Sequence, residues 1–270
     1  MRHIIVLLLV CQWLHGQTSI SLRDKATNLP IAYANIWKDK QLYRSSDSTG
    51  AFVVDQKEIG NEFKITCVGY KDTVLKMSEV LTLEPNAIAL NEVKIIKRKF
   101  EKIAKLGKAK RGDSVYAVQF DAKNGITAKY FENTNNTSFI NSVKFCASAS
   151  ENNRIISLLF YTVGENGEPK EILNTENMIV KIKKGTHVAE VDVSNLSIEF
   201  PKEGVFVVLQ HVLLEQNKLY AKPFYPNAFL YEPCIAIDFT QGYKDTWYFK
   251  EEKWYKNNGF SINMQLIGSD

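Results

Sequence analysis

Residues 63–76 read FKITCVGYKDTVLK, and the first six alternate: Phe63, Ile65 and Cys67 fall on one face of an extended chain, Lys64, Thr66 and Val68 on the other. Alternation with period two predicts a strand with one face in a core. Gly69 then supplies a bend or bulge where the strand leaves its neighbours. Outward from this stretch, residues 18–22, 31–37, 51–54, 81–83 and 93–96 have strand character, separated by turns at 24–30 and 45–50. Asp47 and Gly50 suit a tight connection, the glycine adopting backbone angles that other residues resist. Pro30 sets an extended approach to the strand that follows it. About seven short strands with no convincing amphipathic helix predict a small all-β sandwich over residues 17–97.

Residues 112–270 predict a second β-rich domain. Segments 139–145, 154–161, 178–182, 188–193, 204–211, 234–239 and 260–266 read as strands, and NTNNT, GENGEP, KKGT and KNNG between them have turn composition. This spacing fits a jelly-roll or galactose-binding-like sandwich.

Between the two lies KIIKRKFEKIAKLGKAKR, residues 94–111, with nine basic residues, one acid and a formal charge of +8. The whole chain carries +4, so the basic charge is local. Phe100, Ile103 and Leu106 recur at helical spacing, which predicts a basic linker over 98–111 with a short amphipathic helix. Lys97, Arg98, Lys99, Lys102, Lys105, Lys108, Lys110 and Arg111 make the basic patch. A solvated linker is the plain reading, and peripheral contact with an anionic surface is the functional one. No recognition motif points to nucleic acid.

At the N-terminus, Arg2 and His3 precede a short apolar run, residues 4–10, and Gly16 precedes Gln17. This pattern reads as a secretory signal peptide over residues 1–16, too short for a permanent span. No later segment has the apolar length of a membrane helix. The expected location is the periplasm or the cell-envelope surface. Cys67, Cys146 and Cys234 then remain, an odd number without CxxC spacing, which indicates neither a disulfide-dense scaffold nor a thiolate metal site. Pairing of Cys146 with Cys234 stays open.

The runs TNLPIAYANIW (27–37), SSDSTGAFVV (45–54), FKITCVGYKDTVLK (63–76) and LTLEPNAIALNEVKI (81–95) together resemble the carboxypeptidase-regulatory-like, or transthyretin-like, domain of exported Bacteroidota proteins. Pro30, Ala34, Asn35, Asp47, Gly50, Phe52, Gly69, Tyr70, Leu90, Glu92 and Val93 carry the likeness. It implies a seven-stranded sandwich without catalytic residues of its own. The order of segments in 112–270 more loosely resembles an uncharacterised C-terminal region attached to such domains.

Enzyme signatures are weak. HVAE (187–190) has the gap of an HxxE zinc pair, but a strand would place His187 and Glu190 on opposite faces, and His211 lies in an apolar strand. No HExxH, GxSxG or phosphate-cradling loop occurs. Glu165, Glu168 and Glu171, and Glu251 with Glu252, sit in turn-like stretches where facing carboxylates are not expected. No cofactor or metal is expected, with a loop calcium at Asp192, Asp238 and Asp245 as a side reading. Aromatic residues carry the binding reading. Tyr225, Tyr231, Tyr243, Trp247 and Trp254 are ligand-binding candidates, core packing being the plainer role of both tryptophans, and KPFYPN (222–227) reads as a rigid binding loop. The expected function is that of a non-catalytic, exported envelope accessory or interaction protein, its partner an envelope protein or a glycan. A carbohydrate-binding module is the alternative, and a hydrolase with a concealed site a third.

Overall fold

The computed structural model describes residues 16–86, 103–111, 115–118, 125–134, 137–220, 229–239 and 245–270. Residues 1–15 and the strand expected at 93–96 lie outside them. The protein is all-β and divides into two compact units, one of residues 1–38 and 44–86, the other of residues 39–43 and 87–270.

In the first unit β1 (Gln17–Asp24), β4 (Ala51–Asp55) and β7 (Val80–Leu83) form a sheet in the order β4-β1-β7. A second sheet orders β2 (Asn35–Lys38), β3 (Gln41–Ser45), β5 (Glu62–Thr66) and β6 (Thr73–Lys76) as β3-β2-β5-β6. Ile20, Leu22, Val54 and Leu83 of the first sheet and Ile36, Phe63 and Ile65 of the second are buried and alternate with half-buried or exposed neighbours. Burying each such side chain contributes about 1.5–3 kcal/mol.

The turn residues have equally local causes. The Asp47 carboxylate accepts from Thr49 N and Thr49 Oγ1, both at 2.7 Å, and from Ala51 N at 3.0 Å. Gly50 has φ +75°, and a Cβ there would lie 2.7 Å from the Leu22 carbonyl oxygen. Asp24 accepts from Ala26 N, Thr27 N and the Tyr70 hydroxyl, so Tyr70 ties the turn that follows β5 to the first turn.

In the second unit one sheet runs β13 (Pro169–Ile172), β12 (Arg154–Val163), β16 (Val205–His211), β10 (Ile126–Phe131), β20 (Thr246–Lys250), β21 (Lys253–Asn257), with β14 (Met178–Ile182) also on β12. The other runs β22 (Ser261–Ile262), β19 (Cys234–Asp238), β11 (Phe139–Ala149), β23 (Met264–Ser269), β8 (Ile103–Gly107). To it are added β15 (Gly185–Asp192) on β11 and β9 (Val115–Val118) on β19. A separate two-stranded ribbon pairs β17 (Lys218–Tyr220) with β18 (Phe229–Tyr231). Ile156, Leu158 and Phe160 of β12 and Val205, Val207 and Leu209 of β16 share one core with Val143, Phe145 and Ala147 of β11 and Met264 and Leu266 of β23.

The basic stretch departs from expectation. Residues 103–107 are not helical; they are β8, paired antiparallel with β23 from Gln265↔Gly107 to Ser269↔Ile103. Ala104 and Leu106 turn inward while Ile103 and Lys105 are exposed. The 3.6-residue pattern of Phe100, Ile103 and Leu106 competed with an alternation over 103–107 that only a partner strand distant in sequence could stabilise. Residues 98–102 lie outside the described residues.

The β20–β21 connection stores strain. Lys250 pairs with Lys253, leaving Glu251 and Glu252 as a two-residue turn with φ of 51° and 61°. Such turns favour Asn-Gly because both central residues occupy the left-handed region. Replacing the pair in E251N/E252G is expected to raise unfolding stability by about 1 kcal/mol, read by chemical denaturation. A loss of stability would contradict this account of the turn.

Candidate functional site

Strand alternation separates the zinc-like residues. His187 lies opposite Ala147 and Glu190 opposite Lys144, three positions along β15 and therefore on opposite faces. Glu190 pairs with Lys144 at 2.9 Å. His187 Nε2 lies 2.6 Å from the Lys184 carbonyl oxygen. His211 is on β16, in the other sheet. Its ring nitrogens face the carbonyl oxygens of Gly125 at 3.2 Å and Pro233 at 2.9 Å. Burial pushes the His211 pKa down, against the opposing effect of the Pro233 and Gly125 carbonyls.

The calcium candidates also separate. Asp192 accepts from Ser194 N at 2.9 Å, beyond the end of β15, whereas Asp238 and Asp245 both act on Lys129. Among the described residues, no group of three His, Cys, Asp or Glu could hold a metal ion. Cys67, Cys146 and Cys234 are free thiols. Burial raises all three, Cys67 to about 12 and Cys234 to about 11, so none is poised as a thiolate at neutral pH.

The aromatic residues form a packed face. Trp247 packs edge-on to Phe206 at 6.0 Å, Phe206 lies 5.3 Å from Tyr130, and Trp254 meets Phe249 at 5.1 Å and Tyr161 at 6.0 Å. Tyr161 is on β12 and Trp254 on β21, four strand steps apart, which in a flat sheet is about 19 Å. A 6.0 Å ring contact therefore requires the sheet to curl and bring β21 towards β12 across its concave face. Trp247 and Trp254 line that concave face and keep intermediate exposure.

Tyr231, expected at a binding rim, is instead 3% exposed and packs on Phe229. Its ring presents no free stacking face, because β18 turns it inward. Tyr225, Tyr243 and the KPFYPN loop lie outside the described residues. Exposed aromatics include the neighbours of that loop, Tyr220 and Phe229 at 52% and 42%, with Phe239 and Tyr255 exposed elsewhere. Tyr220 donates its hydroxyl to Glu215, and the Lys218 ammonium sits 4.7 Å from the Phe229 ring centre.

Two buried charge clusters had no signal in the sequence. Lys129, 3% exposed on β10, donates to Ser261 Oγ at 2.9 Å and to the Ile262 carbonyl oxygen at 2.8 Å, and lies 3.4 Å from Asp245. Burial lowers the Lys129 pKa, and Asp245 opposes that shift. Ser261 Oγ in turn donates to Asp245, and so does Thr246 Oγ1. The ammonium is therefore seated by three oxygens, and the serine hydroxyl by the carboxylate, which leaves neither free as base or nucleophile. Elsewhere Glu232 accepts from Arg154 Nε at 2.9 Å, Ser150 N at 2.8 Å and Ser150 Oγ at 2.7 Å.

Of the basic patch, Lys105, Lys108, Lys110 and Arg111 are described, and all four are exposed. None forms an ion pair with a carboxylate among the described residues. Lys97, Arg98, Lys99 and Lys102 lie outside them.

The sheets and their satisfied polar clusters define an all-β, sandwich-like protein. No protein-family model matches the chain, and no curated protein matches it. Among solved structures it is similar to the cysteine protease and lectin-like domains of Cwp84, a surface layer associated protein of Clostridium difficile. The identity is 14%, over 60% of this chain and 37% of that one, with a TM-score of 0.38. The clostridial cysteine protease Cwp84 after propeptide cleavage gives 13% identity over 95% of this chain and 66% of that one, with a TM-score of 0.43. The chain thus spans less than two thirds of the length of these proteins. Similarities this distant carry neither fold family nor activity to this chain.

The Lys129 seat predicts an asymmetry. Asp245→Ala leaves a buried ammonium short of its counter-charge and is expected to cost about 3 kcal/mol, whereas Lys129→Met removes the charge itself and costs less. Chemical denaturation reads both, and equal losses would contradict the assignment. For His211 the sign follows from its depressed pKa. The native state binds fewer protons than the unfolded state, so stability is full above the unfolded value of about 6.5 and falls as pH drops towards the folded value. Denaturation midpoints between pH 7.5 and 5 should fall (about 6.5 marks the onset), and His211→Gln should flatten that slope. An unchanged slope would show that His211 does not contribute.

Proposed function

We propose that this is an exported, non-catalytic interaction protein of the bacterial cell envelope. On this reading the first unit is a transthyretin-like platform and the second a jelly-roll or galactose-binding-like sandwich. The residue pattern from Pro30 to Tyr70 supports the first assignment, and the N-terminal basic and apolar pattern supports export. The observation that carries the functional reading is how the polar groups are distributed. The buried clusters at Lys129, Glu232 and His211 are bonded internally, whereas cations on one sheet edge have no carboxylate partner among the described residues. A carbohydrate-binding reading has a separate support in exposed Tyr220 and Phe229, whose rings could stack on sugar.

Affinity capture from the native cell envelope, with the tagged mature chain as bait, tests the proposal. The expected result is reproducible recovery of one envelope protein or glycan in near-stoichiometric amount. Recovery at background level from folded bait, or turnover of ester, peptide or glycoside probes by the purified chain, would overturn it.

A further inference from the structure

Residues 103–111 combine fixed backbone with uncompensated charge. The segment is held by the β8–β23 ladder and by Gln265 Nε2, which donates to the Gly107 carbonyl oxygen at 3.1 Å. Beyond β8, Asn263 clamps Lys110 from both sides. Lys110 N donates to Asn263 Oδ1 at 2.9 Å, and Asn263 Nδ2 donates to the Lys110 carbonyl oxygen at 2.8 Å. Gly107 makes the connection between strand and extension at φ +73°, where a Cβ would lie 2.6 Å from the Met264 carbonyl oxygen. The backbone that carries Lys105, Lys108, Lys110 and Arg111 is therefore ordered before any partner arrives, which removes one cost of binding.

We propose that this strip docks a linear acidic polysaccharide, one bearing carboxylates on its sugar units, along the edge of the sheet. Charge complementarity comes first, since four exposed cations have no carboxylate partner among the described residues. Shape comes second. Lys105 on β8 lies opposite Ile267 and Lys110 beyond it is held at Asn263, so the cations run beside four residues of the neighbouring segment, about 13 Å, along the sheet edge and its extension, a track that matches a chain of charges. A bilayer surface would call for a broader face with apolar side chains to insert, and Ile103 is the one large apolar side chain exposed in this segment. Ammonium groups and the Arg111 guanidinium both suit carboxylates, the guanidinium through paired hydrogen bonds.

The inference rests on the interaction reading above but fails separately from it. The probe is polygalacturonate, titrated into the full mature chain by calorimetry at low and high salt, beside neutral dextran and vesicles of phosphatidylglycerol with phosphatidylcholine. Binding to polygalacturonate that weakens as salt rises is expected. Neutralising the strip in K105Q/K108Q/K110Q/R111Q should weaken it about tenfold or more, with an unchanged melting temperature. Neutralising four exposed lysines elsewhere, in K170Q/K181Q/K202Q/K253Q, should leave it nearly as it was. No binding by the folded protein, equal binding by the strip variant, or binding to anionic vesicles but not to polysaccharide would overturn the proposal. Capture of an envelope component that survives the strip substitutions would keep the interaction reading and discard the strip.

Discussion

Contact between Tyr161 and Trp254, rings 6.0 Å apart on strands four steps from each other, is the constraint on which the second unit depends. It curls the sheet, and curling gives the concave face a filling of its own. Phe206 and Val208 on β16, Leu159 on β12 and Ala128 on β10 are buried on that side, while Val207, Leu158 and their neighbours are buried against the other sheet. Strands with both faces covered have no room for alternating polarity. That is why β16 is buried at every position from Val205 to His211 and why its sequence is almost continuously apolar.

The same curvature decides which side chains are left for recognition. Trp247 and Trp254 are engaged with Phe206, Phe249 and Tyr161. Lys129 is drawn inward beneath Ser261 and Asp245, where its charge holds a strand of one sheet to a strand of the other rather than meeting solvent. Exposed chemistry is displaced to the margins, to the β17–β18 ribbon and the β8 edge. Lysine on an edge strand also prevents other strands from adding to the ladder. That role and anion docking use the same charges and do not conflict.

Much of the fold was legible because alternation is a local signal. Residues 63–66 and 178–182 read as strands from their own pattern, and Asp47 and Gly50 announced a turn that the hydrogen bonds of Asp47 and the φ of Gly50 explain. What escaped depended on partners distant in sequence. The β8 segment has helical spacing until β23 is beside it. Nothing in ITAKYF distinguishes Lys129 from a solvated lysine, because its counter-charge Asp245 lies far along the chain. The aromatic stretch from Trp247 to Tyr255 could be read as rim or core, since curvature is a property of the whole sheet. Tyr231 was read as exposed from its neighbours and is turned inward by the ribbon it belongs to.

The central claim is that residues 103–111 of the basic stretch form an ordered sheet edge and its extension rather than a linker, so that their cations are displayed on a fixed backbone. Hydrogen exchange of the native protein, followed by mass spectrometry on peptides covering 103–111, tests this most directly. The account predicts slowed exchange at the amides that pair with β23 and at Lys110, whose amide donates to Asn263. Exchange across the whole segment at the rate of an unstructured chain, with β23 itself protected, would contradict it.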